Sequence, residues 1–526
     1  MIGDPEYPRR PSRSPLLRQF RGYVYILVLV SLFALMILWD NGYVELKNPE
    51  SPFKPHHAST PQHEAEKHAP GVDSSSTSSP TTSATTASTT SVEGFSTTDP
   101  VDKNDIIKQA ISPAAAAAIK KHGTALSTID PNDILVMFKT GATKMWFRAP
   151  MQLATTLANK TLTPHVVFYS DIAEQIGDYT TVDTLANVSV SLKDSPDFAL
   201  WRGVRQAYGE DNLYLDGEGE EATYVPGGWR IDKYKFLPMA QHAAVNFPDK
   251  KWFVLLEDDT FYFWETLLAW LASFDPDQPW FLGGPAARLG EDFAHGGSGM
   301  VLSRGAMKES FAKDPKLASR WEGYAKEYGC GDHILSHVLA QKGVSRWRAF
   351  DGTEYYPLHA LPLWQMGFGD WNWCSPLMNV HKVHGADISK LYNWEKKWKE
   401  TKGGSVRWRD VFVDLVLPKL AEEQDEWDNF AATRHFASLD EEEGGQKLSE
   451  AEVKKKPWYS KDACKKACRD WQQCLEWRYA DDNCYLDHQA KQGRRIEAGI
   501  RMRSGWMMDR IKKLQEKKCG PLPWGV

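Results

Sequence analysis

Three uninterrupted apolar runs do most to limit what this chain can fold into: Ile134 to Phe138, Val166 to Tyr169 and Trp252 to Leu256. A strand with one wet face alternates apolar and polar residues, whereas a strand covered on both faces reads as a continuous apolar run. Each run ends in polar residues: Lys139-Thr140-Gly141, Ser170-Asp171 and Glu257-Asp258-Asp259-Thr260. Met151 to Leu157 reads as a helix between the first two, which makes a βαβ unit and hence a mostly parallel sheet with helices on both faces. Ligands of such sheets gather outside the carboxyl ends of the strands. Shorter strands are predicted at Trp280 to Gly284 and Gly299 to Leu302. Helices are predicted over Glu265 to Ala272 and from Gly331 to about Lys342. This α/β domain spans about 130–400.

The chain has 526 residues, too many for one ordinary domain. Residues 22–39 read GYVYILVLVSLFALMILW, with no charge, and about 18–20 such residues span a bilayer. Five arginines precede the run, and Asp40 and Glu45 follow it. The positive-inside rule therefore puts a tail of residues 1–21 in the cytosol and the rest of the chain in a lumen. A cleaved signal peptide fits less well, because the run exceeds a usual h-region and no small-x-small site follows. Residues 40–125 read as a stalk. Ser74 to Ser91 is almost wholly Ser, Thr and Ala, which buries too little to offset chain entropy and is expected to be disordered. Two sequons, at Asn159 and Asn187, suit lumenal glycosylation. The net charge of -6 argues against nucleic-acid binding.

Five of the seven cysteines fall after Pro457, which marks a small disulfide-stapled α+β module over 457–519. Between the two domains, 401–456 reads as a helical and acidic linker. Trp408 to Leu417 is helix-like and Pro418 interrupts it.

Four motifs carry candidate chemistry. In Glu257-Asp258-Asp259, three acids at the end of a buried strand repel one another unless water or a divalent cation compensates them. Carboxylate oxygens suit hard ions such as Mn²⁺ or Mg²⁺. Taken alone, such a triplet is most often a hydrated turn. Gly296-Gly297-Ser298-Gly299 lets backbone approach a ligand closely, or simply makes a tight loop. Asp332, after Cys330-Gly331, sits where a helix begins, as an N-cap or as a general base. In Asn379-Val380-His381-Lys382-Val383-His384, either histidine could complete a metal shell. No HExxH or CxxC zinc pattern accompanies them, which disfavours zinc hydrolysis. A secreted hydrolase also lacks an evident nucleophile or acid–base pair.

The sequence Trp252-Phe253, Glu257-Asp258-Asp259-Thr260-Phe261, His295-Gly296-Gly297-Ser298-Gly299, Gly331-Asp332 and Val380-His381 resembles, in order and spacing, the Fringe-like and core 1 β1,3-galactosyltransferase-like enzymes of glycosyltransferase family 31, the fungal members most. The resemblance covers roughly 130–400. It implies a GT-A fold, a UDP-sugar donor, Mn²⁺ and inversion at the anomeric carbon. By motif, Asp259 with Glu257 matches the metal site and His381 the late metal ligand. Asp332 matches the catalytic base. Thr140, Gly141, Asp258 and Gly297 lie where the family binds the nucleotide sugar. The triplet begins with Glu where relatives have Asp.

The spacing Cys464-x3-Cys468-x5-Cys474, with Cys484 and Ser504-Gly505-Trp506, resembles a PAN/apple domain. It implies the pairs Cys464–Cys484 and Cys468–Cys474 and a protein or glycan ligand. Cys519 is left over, and Cys330 is expected to pair with Cys374 inside the catalytic domain. The reading is a Golgi type II membrane protein whose lumenal enzyme moves galactose or N-acetylglucosamine from a UDP-sugar to a glycan or glycoprotein hydroxyl. A catalytically silent membrane-anchored lectin or adaptor is the alternative.

Overall fold

In a computed structural model of the chain, residues 129–209, 228–288, 290–346, 358–438 and 449–522 are described. The apolar run 22–39, the stalk and the acidic run at Asp440 lie outside them. Among the described residues, no helix is long and apolar enough to cross a membrane.

The first run forms β1 (Ile134–Lys139), followed by helix α1 (Ala142–Ala154), which begins directly after Gly141. Strand β2 (Val166–Ser170) is the second run, and the short β3 (Gln175–Ile176) and β4 (Tyr179–Asp183) follow. Helices α2 (Ala199–Gly209) and α3 (Phe236–Asn246) lead to β5 (Trp252–Glu257), the third run. A strand not expected from sequence, β6 (Thr260–Tyr262), separates the acidic triplet from helix α4 (Trp264–Leu271). Then come β7 (Phe281–Gly283), the hairpin β8 (Pro285–Arg288) and β9 (Glu291–Ala294), β10 (Met300–Ser303), helix α5 (Gly331–Ala340) and β11 (Asn379–His381).

Seven of these strands make one sheet in the order β3-β4-β2-β1-β5-β10-β7. Strands β4, β2, β1 and β5 are mutually parallel, and β10 runs antiparallel to its neighbours β5 and β7. Continuous apolar runs were required because both faces are covered. Ile134, Val136 and Phe138 of β1 join one buried cluster with Trp252, Val254 and Leu256 of β5. Leu135 and Met137 join another with Phe253 and Leu255, packed against α3 and α5. At roughly 25 cal/mol per Å² of apolar surface, such two-sided burial is the main force holding the sheet.

A third cluster joins the middle of the described chain to its C-terminal part. Val406, Trp408, Val411 and Phe412 pack with Leu475, Trp506, Ile511 and Leu514. Helix α6 (Gly385–Thr401) leads into this region. A five-stranded sheet is built from β12 (Gln424–Asp425), β14 (Arg434–Ala437), β15 (Glu476–Ala480), β16 (Asn483–Asp487) and β18 (Met502–Trp506). The two-residue strands β13 (Trp427–Asp428) and β17 (Arg494–Arg495) pair beside it. Helices α7 (Lys461–Asp470) and α8 (Met508–Gln515) flank the sheet. Within the expected linker, residues 401–438 supply core side chains and two strands of this sheet. The predicted helix at Trp408 ends early as an α-helix, at Val411, and continues as a π-turn to Val416.

Cys464 bonds to Cys484 and Cys468 to Cys474. The expected Cys330–Cys374 pair does not form. Cys374 bonds to Cys519 across a separation of 145 residues, and Cys330 is free. The tail after α8 turns back onto the segments around Asp370 and Arg407: Arg407 Nη1 donates to the Gly520 carbonyl at 2.8 Å, and Lys517 Nζ to Asp370 Oδ1 at 2.7 Å. That return delivers Cys519 to Cys374. Cys330 instead starts α5 and faces the Arg288 guanidinium at 2.6 Å.

Candidate functional site

At the carboxyl ends of β1 and β5 the chain opens into a cleft of about 560 Å³. It is lined by Thr140, Gly141, Glu257, Asp258, Gly297, Asp332 and His381 among others. One concavity therefore gathers residues from four separate motifs.

Glu257 ends β5, and Asp259 lies in the turn before β6. His381 ends β11, which pairs antiparallel with β6 so that His381 stands opposite Thr260. One ligand atom from each of Glu257, Asp259 and His381 lies within 4.8 Å of the others. His384 is not in this group. Lys382 takes a left-handed φ of 53° and ends the strand, and exposed His384 caps α6.

The His381 ring is held by its far side. Its Nδ1 lies 2.9 Å from the Ala360 carbonyl, which can only accept, so Nδ1 carries the proton. Nε2 then turns a lone pair toward Asp259 Oδ1 at 3.3 Å. That oxygen is buried and makes no hydrogen bond. Two acceptors facing each other need a cation between them, either an added proton or a metal ion. An orienting carbonyl behind a histidine is also the usual support of a metal ligand. Two carboxylates and one imidazole are ligands that divalent cations accept. The residues thus fit a divalent cation.

The electrostatics agree. Burial works against charging His381, yet the Asp259 carboxylate beside it raises its pKa above the ordinary value. Burial likewise opposes ionisation of Asp259, but His381 and Arg148 hold it below the usual carboxylate range. Burial pushes Glu257 up to about 7, against the pull of Lys139. Lys139 Nζ lies 2.6 Å from Asp232 and 3.3 Å from Glu257.

Asp258 points elsewhere. Its Oδ2 accepts from the Thr140 hydroxyl at 2.7 Å, and its Oδ1 from Arg148 at 2.7 Å. The middle acid therefore ties the end of β1 and helix α1 to the turn, while its two neighbours face the gap.

The glycine loop is explained by close approach. A Cβ on Gly297 would overlap the His381 imidazole, and one on Gly299, at φ 71°, would overlap the Tyr262 hydroxyl. The loop also fixes Asp332, whose Oδ2 accepts from the Gly296 N–H at 2.9 Å and Oδ1 from the His333 N–H at 2.8 Å. A carboxylate oxygen keeps a second lone pair after one such bond, so Asp332 remains able to accept a proton at the cleft wall.

Several lining residues carried no sequence signal. Asp232 is a single acid outside any motif, bridging Lys139 and, at 3.6 Å, Lys235. Lys139 could have been noticed as the one charge closing an otherwise apolar strand. Arg148 also lines the cleft, as does His295 of the glycine-loop motif. The sequon residues Asn159 and Asn187 are both exposed.

Residues 233–326 match the family model described as Fringe-like. The matched stretch contains the acidic triplet and the glycine loop and ends before Asp332 and His381. The match is consistent with a glycosyltransferase. No curated protein matches the chain.

Proposed function

We propose that this chain is an inverting glycosyltransferase that moves galactose or N-acetylglucosamine from a UDP-sugar to a glycan hydroxyl, in β1,3 linkage, on a GT-A scaffold. The observation that carries the proposal is the gap between Glu257, Asp259 and His381, where buried acceptors face one another beside a cleft rimmed by lysines and an arginine. Those three residues would hold Mn²⁺ or Mg²⁺, which supplies a Lewis acid for a diphosphate leaving group. Thr140, Gly141 and Gly297 line the donor's side of the cleft. Asp332 takes the proton from the acceptor hydroxyl as that oxygen bonds to the sugar C1 and the bond from C1 to the diphosphate breaks. A carboxylate oxygen with a free lone pair at the cleft wall is placed for this. The Fringe-like match and the order of motifs support the same reading.

Residues 22–39 would anchor the protein as a single-pass type II membrane protein of the Golgi, with the cleft in the lumen. The C-terminal disulfide-stapled sheet would be its PAN/apple-like module.

The test is a panel of UDP-sugars incubated with the protein and Mn²⁺, with and without EDTA. Release of UDP from one donor, dependent on the cation, is the expected result. Asp332→Asn should keep donor binding and lose turnover by about 10²–10⁴-fold. Unimpaired transfer by that variant would remove Asp332 from the mechanism.

A further inference from the structure

Asp259 is held through its backbone as well as its side chain. The carbonyl oxygens on either side of it, those of Asp258 and Thr260, both accept from Gln152 Nε2, each at 3.0 Å. Its own carbonyl meets a different element: it accepts from the N–H of Val383, two residues beyond His381, at 3.0 Å. The Thr260 hydroxyl, next along the chain, donates to the Gly297 carbonyl at 3.0 Å. Every carbonyl of this turn is therefore taken, and one side chain takes two of them.

Gln152 lies on α1, one helical turn after Arg148, so the two share a face of the helix. Arg148 Nη1 reaches the side chains of the same turn, Asp258 Oδ1 at 2.7 Å and Asp259 Oδ2 at 3.3 Å. Helix α1 thus grips the turn twice, by its carboxylates through Arg148 and by its backbone through Gln152.

The Gln152 side chain is fully buried. A primary amide carries two N–H donors on one nitrogen, and the two carbonyls use both. This orientation leaves Gln152 Oε1 buried with no hydrogen bond. Turned over, the amide would set that oxygen against two carbonyl oxygens and lose both bonds. The turn, and not the surroundings of Oε1, fixes the amide. A buried polar atom left unpaired in this way calls for a reason, and the residue between the two carbonyls supplies one. Cation ligands must meet their ion to within about 0.2 Å, so the path of the backbone on both sides of Asp259 decides whether its carboxylate can face His381 across the gap.

We propose that Gln152 is a positioning residue of the cation site: by pairing the carbonyls of Asp258 and Thr260 it fixes the turn and so aims Asp259 at His381. This role rests on the reading of Glu257, Asp259 and His381 as cation ligands.

Titration of the metal-free full chain with Mn²⁺, followed by loss of the paramagnetic resonance signal of the free ion, tests it in wild type, Gln152→Met and Gln152→Glu. Methionine is of similar length and suits a helix but has no donor to give. Burial keeps a glutamic acid protonated, and its single O–H is enough for one carbonyl. Affinity for Mn²⁺ should therefore fall in the order Gln, Glu, Met, with Gln152→Met weaker than wild type by about tenfold or more, the scale of losing a group that orients a metal ligand. If Gln152→Met does not fold, Gln152→Glu still decides, since it must bind more weakly than wild type. Leu317→Ala is the control for general loss of stability. Leu317 is buried in the cluster packed on α3 and α5 and does not line the cleft, so this variant should melt at a lower temperature with an unchanged Kd for Mn²⁺. Equal affinity in wild type and the Gln152 variants, or an equal loss in Leu317→Ala, overturns the role of Gln152 and leaves the cation site standing. A wild type that takes up no Mn²⁺ removes the site itself, and Gln152 with it.

Discussion

Two clusters that set carboxylates around a lysine, one in the C-terminal sheet and one at the end of β5, end differently. In the C-terminal sheet, Glu476 and Asp487 share Lys491, whose Nζ lies 3.2 Å from one and 2.6 Å from the other. Each remaining oxygen there has a donor, the Lys491 N–H for Glu476 and Thr433 and Gln489 for Asp487, and Ala432 N–H adds a second donor to the Asp487 oxygen that meets Lys491. At the end of β5, Lys139 leans toward Glu257 but is drawn closer to Asp232, and Asp259 Oδ1 is left without a hydrogen bond. The ingredients match; the closure does not. A saturated buried network holds a fold together, whereas one left a cation short is poised to take up a ligand.

The largest break expected is at the closed network. Lys491→Met leaves two buried acids without their cation and should cost about 3–5 kcal/mol, read as a large drop in the urea midpoint. Asp259→Asn, at the open cluster, should barely move that midpoint. It should instead weaken Mn²⁺ binding by about 100-fold or more, beyond the 10–100-fold cost of losing a mere supporting group. Equal losses of stability in the two variants would erase the distinction. A smaller effect follows from adding Mn²⁺ to the wild type: at ten times Kd it should stabilise by about 1.4 kcal/mol through linkage, seen as a rise in Tm absent from Asp259→Asn.

The smallest effect concerns pH. Burial pushes Glu476 up to about 8, above the 4.5 of an exposed glutamate. The folded protein therefore holds a proton there that the unfolded chain releases. This contribution to stability is complete below about 4.5 and is lost as pH rises through about 8. Glu476→Gln should flatten that part of the profile, measured as urea midpoints at pH 5.5 and 8.5. An unchanged slope would mean that Glu476 does not carry the proton.

Much of this could be seen in the sequence wherever burial is two-sided. The runs at Ile134, Val166 and Trp252 read as strands because no residue in them tolerates water. The triplet after Leu256 was visible as chemistry because three acids cannot end such a strand without compensation. Which of the three face the gap could be named only by resemblance, which put Asp259 and Glu257 there; the physical cause, Asp258 turned away by Thr140 and Arg148, lies more than a hundred positions earlier. The choice between His381 and His384 depended on one backbone angle at Lys382. Cys374 could not be matched with Cys519 from spacing, because the pairing is set by where the tail returns. Residues 401–456 looked like a linker because strands such as Gln424–Asp425 are too short to show a period.

The most direct test of the open cluster is calorimetric titration of UDP into the protein with Mn²⁺ present and again after EDTA. Binding that appears with the cation and vanishes without it is expected, together with its loss in Asp259→Asn. Binding of equal strength in both conditions, or none in either, would contradict a metal-dependent nucleotide-sugar site at Glu257, Asp259 and His381.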